Sequence, residues 1–425
     1  MKTSAIAMIL TTALSLPVAA VTPSSVEANG VVSELTGDIR SSWDYPPHNM
    51  YSFTKTEHIF PTLHIAKGSG PVAPLRKAEE QLNLETLQVV DPALGNTISA
   101  DELLERRIQN NGFLVLHKGE VVHESYRNQL DKDTRHMNFS TTKSIIGMLA
   151  QIAKQKGLFD ETDLASKYVP ELLGNPAWSD VTVRDVWDMR DGTKFDENYD
   201  DNDSDVRVQD RAINWRPRLE GDPKGVRDFV SKNVDEKVAP TGSKFTYSSV
   251  QTEILGMIIE GASGQSLENF FQNEFWSKIG AEHDAAFNTD GFGQPLAQGG
   301  LNMTLRDFGR VAQLVMNKGK THQGEQLIDA AFFSDLVTPK KHLNDAFANY
   351  KSFFGDTGQY RSQFWVVKPE AKQFMQVGTH GQIAYYDYQN DIAYVGFSAY
   401  PVAKDAVLMG SFFELFEQIK TELTQ

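Results

Sequence analysis

The stretch Asn138-Phe139-Ser140-Thr141-Thr142-Lys143-Ser144-Ile145-Ile146 decides how the chain is read. Ser140 and Lys143 stand three residues apart, so in the first turn of a helix their side chains project from one face. A serine hydroxyl is a weak nucleophile until a base sits beside it. A lysine amine kept neutral by burial and by neighbouring cations is such a base. The helix start adds unpaired backbone N–H groups and the positive end of the helix dipole. Those donors suit the oxyanion that forms when a hydroxyl attacks a carbonyl. Taken alone, Ser140 also reads as an ordinary helix N-cap.

Ser-x-x-Lys alone is a weak signal, expected about once or twice by chance in a chain of this length at average residue usage. It occurs twice here. The other match, Ser52-Phe53-Thr54-Lys55, is followed by Glu57, His58 and Pro61 with no helical stripe. After Ser140 come Ile145, Ile146, Met148, Leu149 and Ile152, at the spacing of a buried helix. Lys154, Lys156 and Gly157 then supply a C-terminal charge and cap.

The chain has 425 residues, no cysteine, a formal net charge of −15 and 40% hydrophobic residues. That is core enough for one large domain or two. The acidic balance argues against nucleic acid as a partner. Residues 1–20 read as a cleavable secretory signal: Lys2, an apolar run over 5–16, and Val18-Ala19-Ala20. The run is short for a bilayer span, and no other candidate span follows. The expectation is a periplasmic or secreted protein cut near Ala20. Without cysteine there is no disulfide and no lipid-modified N-terminal cysteine.

Residues 21–104 are broken by Pro23, Pro46, Pro47, Pro61, Pro71 and Pro74 and read as an arm packed on the main body. The spacing predicts a short helix over 101–109 and a hairpin over 112–126 around Lys118-Gly119-Glu120. Residues 157–335 are mostly helical in pattern. Within them lie a capped helix at 181–189, a polar loop at 195–210 over a cleft, and helices at 250–259 and 305–317. Strands follow at 364–367, 383–387 and 392–400, then an amphipathic helix at 405–423. Strands early and late with helices between predict an α/β (α+β) layer assembled from both ends, with a helical insertion. The acidic run Asp200, Asp201, Asp203 and Asp205 reads as a solvated loop over a cleft ahead of a calcium loop. Val206 and Ala212 stand where an EF-hand places Gly and Glu.

Two further stretches carry chemistry. Thr246-Tyr247-Ser248-Ser249 precedes a helix, and a tyrosine beside a lysine can pass a proton to a leaving group. Gly378-Thr379-His380-Gly381-Gln382-Ile383 opens a late strand, where an edge strand's backbone N–H could face an oxyanion. Each alone reads first as structure: a half-buried tyrosine, a core histidine. No Gly-x-Ser-x-Gly elbow and no His-Glu-x-x-His motif occurs.

Taken together, the order Ser-x-x-Lys, Tyr-x-Ser, His-Gly resembles the serine β-lactamase and penicillin-binding superfamily. More narrowly it resembles the class C β-lactamase-related branch and its 6-aminohexanoate-dimer hydrolase group. Gly299-Gly300-Leu301-Asn302-Met303-Thr304-Leu305-Arg306-Asp307 is similar to that branch's glycine pair before a Thr-x-x-Asp helix. The likeness covers about residues 105–425. It implies a β-lactamase-like fold, an antiparallel sheet flanked by helices with the mostly helical insertion at about 157–335. It implies Ser140 as the acylated nucleophile, Lys143 as its base and Tyr247 as the proton relay. The oxyanion hole would be the N–H groups of Ser140 and Ile383, with Gln382 as the neighbouring register. Tyr199 would lie over the leaving group, and His380, Gly381 and Gln382 would contact substrate. No metal or organic cofactor is implied.

Two departures matter. Ser249 stands where the β-lactamases have Asn, and His380-Gly381-Gln382 where they have Lys-Thr-Gly. A mostly neutral histidine holds a substrate carboxylate less well than lysine. The expectation is therefore an exported serine hydrolase cleaving small-molecule esters or linear amides through an acyl-enzyme. The alternatives are a β-lactamase or D-alanyl-D-alanine carboxypeptidase, or a non-catalytic cell-wall binding protein on the same fold.

Overall fold

The structure, a computed structural model, describes residues 39–425. The signal segment expected at 1–20 lies outside the described residues. The arm contributes β1 (Thr62–Ile65) and a ribbon of β2 (Gln88–Val90) and β3 (Thr97–Ser99). Its aromatic residues Trp43, Phe53 and Phe60 are buried in the main core. The helix expected at 101–109 is one α-turn, Ala100–Glu102, continued by a π-turn, Leu103–Arg107.

The hairpin forms as expected: β4 (Asn110–His117) and β5 (Glu120–Tyr126) turn at Lys118 and Gly119, both at positive φ. The two-residue β6 (His136–Met137) leads into helix α1 (Thr141–Gln155). From Thr141 to Ala153 every residue of α1 is buried, because the helix runs between the large sheet and helix α3. Each fully buried Ile, Leu or Met contributes roughly 1.5–3 kcal/mol. Gly147 lets the sheet side approach. A Cβ there would lie 2.4 Å from the Ser362 carbonyl oxygen.

The stretch expected to be helical holds α2 (Asp205–Ala212), α3 (Ser249–Ser263) and α4 (Leu305–Met316), with several shorter helices. It differs from the sequence reading in two ways. First, α2 begins inside the stretch read as a polar loop, its N-cap Ser204 donating its hydroxyl to the Asn198 and Asp201 carbonyls. Second, β7 (Ala285–Asn288) and β8 (Leu301–Met303) form a small antiparallel sheet in the order β1-β7-β8-β6. Three- and four-residue strands buried on both faces show no alternation, so periodicity did not mark them.

The C-terminal part supplies β9 (Gln359–Arg361), β10 (Phe364–Lys368), β11 (Gln373–Gly378), β12 (Gln382–Asp387) and β13 (Ile392–Ser398). Helix α5 (Ala406–Thr424) closes the chain. The seven-stranded sheet runs β5-β4-β13-β12-β11-β10-β9, antiparallel throughout. Early and late strands thus share one sheet, with helices on its two faces. This is the α/β (α+β) layer expected, an antiparallel sheet flanked by helices.

Candidate active site

Ser140 occupies the N-cap of α1 with φ −69° and ψ −4°. The residue before it, Phe139, is held at φ +45°. A bulky L-residue adopts that left-handed conformation at a cost of about 1–3 kcal/mol. The surrounding contacts offset it. Trp43 of the arm stacks on the Phe139 ring at 5.7 Å, and Phe53 meets it edge-on at 4.8 Å. On the other side the Asn138 N–H donates to the Leu301 carbonyl at 2.9 Å. The turn that presents the nucleophile is therefore fixed by the arm, by β8 and by the helix start.

Lys143 follows one turn later and is only 1% exposed. Its Nζ donates to Ser140 Oγ at 2.8 Å and to the Gln298 carbonyl at 2.7 Å. Burial pushes the amine down to about 8, against the opposing pull of the Glu197 and Glu253 carboxylates. Near that pH a large share of the amine is neutral and able to take the proton of Ser140.

Tyr247 lies two residues before α3. Its ring faces Lys143, with Nζ 5.3 Å from the centroid, and stacks on Trp365 at 5.1 Å. Its N–H donates to the Tyr350 hydroxyl at 3.2 Å. The phenol shares a hydrogen bond with Ser140, and burial holds it protonated, its pKa well above the ordinary value. The structure thus brings Ser140, Lys143 and Tyr247 into one cluster.

The oxyanion side corrects the sequence reading. Ile383 is 1% exposed and sits in the sheet interior, opposite Val377 of β11 and Gly396 of β13. It does not reach the cleft, and β12 is not an edge strand. The strand that meets the nucleophile is β11, at its last residue. A Cβ on Gly378 would lie 2.9 Å from the Asn138 oxygen and 3.1 Å from the Ser140 nitrogen. The next residue, Thr379, lines the cleft beside Ser140. Thr379 opens a single 3-10 turn, so its N–H, like that of Ser140 at the start of α1, lies ahead of its helix's own bonds.

The three residues after Thr379 divide. His380 lines the cleft, packed against Phe53 and Phe139 at 5.1 and 5.5 Å between ring centroids, with Nδ1 2.8 Å from the Tyr400 carbonyl. Burial lowers its pKa, so the ring is neutral near pH 7. Gly381 and Gln382 are structural rather than substrate-facing. Gly381 sits at φ +87° with a Tyr400 ring carbon 2.7 Å from where its Cβ would be. The Gln382 side chain is fully buried, donating to the Ser398 carbonyl at 2.8 Å and accepting the Ser398 N–H at 3.0 Å.

Tyr199 lines the cleft, as the sequence reading placed it. Its hydroxyl donates to Glu197 Oε1 at 2.6 Å. The same carboxylate accepts the Ser249 N–H at 2.9 Å and the Ser249 hydroxyl at 2.6 Å. Glu197 was not singled out from sequence. It lies in a polar loop, and only the fold brings it to the N-terminus of α3, where a carboxylate is favoured.

The cleft walls carry more that sequence did not show. Trp43, Phe139 and Trp215 form an aromatic side. The same lining holds two ion pairs, Arg207 with Asp210 at 2.9 Å and Arg216 with Asp44 at 2.5 Å. Asp44 comes from the arm, and nothing in its local sequence marks it. Burial pushes the Asp210 carboxyl up to about 6 even against the two arginines. Asp200, Asp201, Asp203 and Asp205 do not line the cleft. Among the described residues no three His, Asp or Glu side chains are grouped to hold a metal ion.

These features agree with the comparisons to known proteins. The chain is 28% identical over 363 residues to the 6-aminohexanoate-dimer hydrolase of Paenarthrobacter ureafaciens, covering 85% of this chain and 88% of that protein. Its fold superposes with a TM-score of 0.82 on a Bacillus anthracis structure named for 6-aminohexanoate-dimer hydrolase, at 24% identity, covering 93% of this chain and 98% of that one. EstCE1, described as a hydrolase with promiscuous acyltransferase activity, shares the fold at a TM-score of 0.59 and 15% identity, over 75% of this chain and 96% of that one. The family model for beta-lactamase matches residues 99–408, a span that holds the Ser140 cluster and the strand beside it, and the chain therefore belongs to the beta-lactamase family.

Proposed function

We propose that this serine hydrolase cleaves linear amide or ester bonds through an acyl-enzyme on Ser140, and that it does so as an exported protein. The observation that carries the chemistry is the Lys143 amine, buried and held 2.8 Å from Ser140 Oγ. In this reading Ser140 Oγ attacks the carbonyl carbon and its proton passes to neutral Lys143. The carbonyl oxygen becomes an oxyanion facing the N–H groups of Ser140 and Thr379. Collapse breaks the bond to the amine or alcohol, which leaves with a proton relayed through Tyr247. Water then gives a proton to the Lys143–Tyr247 pair and attacks the acyl ester, and collapse breaks the bond to Ser140 Oγ, which takes that proton back as the acid leaves.

The linear-amide part is supported by the 6-aminohexanoate-dimer hydrolase relative. It is supported also by the cleft, whose charged lining is two arginines and two aspartates already paired with each other. Among the described residues no lysine lines it, unlike the Lys-Thr-Gly pattern of the β-lactamases. Export is supported by the signal pattern at 1–20. No described helix is long and apolar enough to cross a membrane.

The test is hydrolysis of a short-chain nitrophenyl ester, a 6-aminohexanoate linear dimer and a chromogenic cephalosporin, each beside Ser140→Ala. Ester or dimer turnover that vanishes in the variant is the expected result. Turnover unchanged in the variant would place the chemistry elsewhere. Cephalosporin turnover matching that of the ester would favour a β-lactamase or D,D-peptidase instead.

A further inference from the structure

Glu253 is a carboxyl with no contact to the reacting atoms, yet it is 2% exposed and sits one turn into α3, the helix packed against α1. Its two oxygens have separate partners. Oε2 accepts the Ala297 N–H and Oε1 the Gln298 N–H, each at 3.1 Å. The carbonyl of that same Gln298 receives the Lys143 ammonium at 2.7 Å. The turn continues with the Leu296 carbonyl accepting the N–H of Gly299 at 3.2 Å and of Gly300 at 2.7 Å, and then enters β8. One carboxyl therefore holds the two peptides that lead into the Gln298–Gly299 peptide, whose oxygen orients the base and whose own N–H is held by the Leu296 carbonyl.

We infer that Glu253 is a positioning residue for Lys143, acting through the 296–300 turn. This rests on the reading of Ser140 and Lys143 as nucleophile and base. A carboxylate suits the task better than any neutral side chain, because it accepts two N–H bonds at once and offers no donor to repel them. It also balances the ammonium that forms when Lys143 takes the serine proton. The charged groups facing Lys143 are Glu197 from the loop before α2, Glu253 from α3, Asp210 from α2 and Lys404 from the segment before α5. Those facing Glu253 are Lys143 and Asp290. Burial pushes the Glu253 carboxyl up to about 8, with the N–H groups of Gln298 and Ala297 and then Lys143 pulling it back. Once ionised, Glu253 is the buried anion that accepts both N–H bonds and faces the proton that Lys143 takes up.

The test is the acylation rate of Glu253→Gln and Glu253→Asp by a fluorophosphonate, per titrated active site, from pH 6 to 10. In Glu253→Gln one N–H meets an amide donor and the balancing charge is gone. Acylation falls on the order of 10- to 100-fold. The acid limb moves to lower pH by about one unit, since the ammonium has lost a stabilising anion. Glu253→Asp keeps the charge and shortens the reach, so the rate falls by about 10-fold with the limb in place. A purely structural role would lower the yield of folded protein but leave both rate per site and limb unchanged. Glu253→Gln within two-fold of wild type at an unmoved limb overturns the inference. If that variant does not fold, Glu253→Asp within two-fold of wild type overturns it. Failure of the wild type to label at Ser140 would instead overturn the underlying reading of the site.

Discussion

Gly378 is packed so closely on Ser140 that a single added carbon would stand 3.1 Å from the Ser140 nitrogen and 2.9 Å from the Asn138 oxygen. The end of β11 and the start of α1 are thus one surface, and the absence of a side chain at 378 lets their N–H groups converge. Gly378→Ala is expected to lower kcat/KM for a nitrophenyl ester on the order of 10²–10³-fold, the scale of losing an oxyanion donor. Its stability cost is about 1–3 kcal/mol, as for an overpacked site. Kinetics and a thermal melt together separate the two effects. A variant with wild-type kcat/KM would show that the nucleophile does not use this surface.

The pH dependence follows from Lys143. Burial lowers its pKa from 10.5 to about 8. The base must be neutral, so kcat/KM rises with pH and levels off above about 8. The stability effect has the same sign. Between 8 and 10.5 the unfolded chain holds a proton that the folded chain does not, so stability climbs with pH across that window. Below 8 the cost of the buried ammonium is fully present. Lys143→Met is expected to abolish the ester reaction and to remove that part of the slope. Denaturant melts of both proteins at pH 8 and pH 10 check it, and an identical slope would contradict it.

Beneath α1 the 361–363 turn is held by Asp188, which is fully buried. Its Oδ2 accepts from Arg361 at 2.6 Å and its Oδ1 from the Ser362 N–H at 2.9 Å. The same turn accepts the Ser144 hydroxyl through the Gln363 carbonyl at 2.6 Å. Asp188→Ala takes the carboxylate from Arg190, leaves Arg361 only Asp335 and Arg184 only Glu161, and is expected to cost about 3–5 kcal/mol. Desolvation raises the Asp188 pKa, but Arg184, Arg361 and Arg190 hold it below the ordinary 3.8 on balance. Its contribution is therefore present at neutral pH and is lost as the pH falls below that value. Urea melts at pH 7 and pH 3.5 should show the gap between wild type and variant narrowing in acid.

Trp43 joins the arm to the site. It stacks on Phe139 and donates its indole N–H to the Trp215 carbonyl at 2.9 Å. Trp43→Ala is expected to cost about 3–5 kcal/mol. It also releases the strained Phe139 turn, so kcat should fall in the fraction that remains folded. A variant that loses stability while keeping kcat per titrated site would show that the arm only shields the core.

The sequence marked what depends on local spacing. The Ser140–Lys143 pair, the α1 stripe, the Lys118-Gly119 hairpin turn and the Tyr247 loop all announce themselves within a few residues. It did not mark β9, β11 or the short strands β7 and β8, where burial on both faces removes alternation. The oxyanion side was misplaced by four residues for the same reason. Without β11, the 378–383 stretch reads as the start of one strand, whereas it is the turn between two. Asp44, Glu197, Glu253 and the Gln298 carbonyl were out of reach, since each joins the site from a distant segment through a contact that no local pattern encodes.

The central claim is that Ser140 carries the acyl group, and intact-protein mass spectrometry after fluorophosphonate treatment tests it most directly. The wild type is expected to gain one adduct, mapped by peptide digestion to Ser140, and Ser140→Ala to gain none. An adduct of equal yield in Ser140→Ala, or one mapped to another residue in the wild type, would contradict the account.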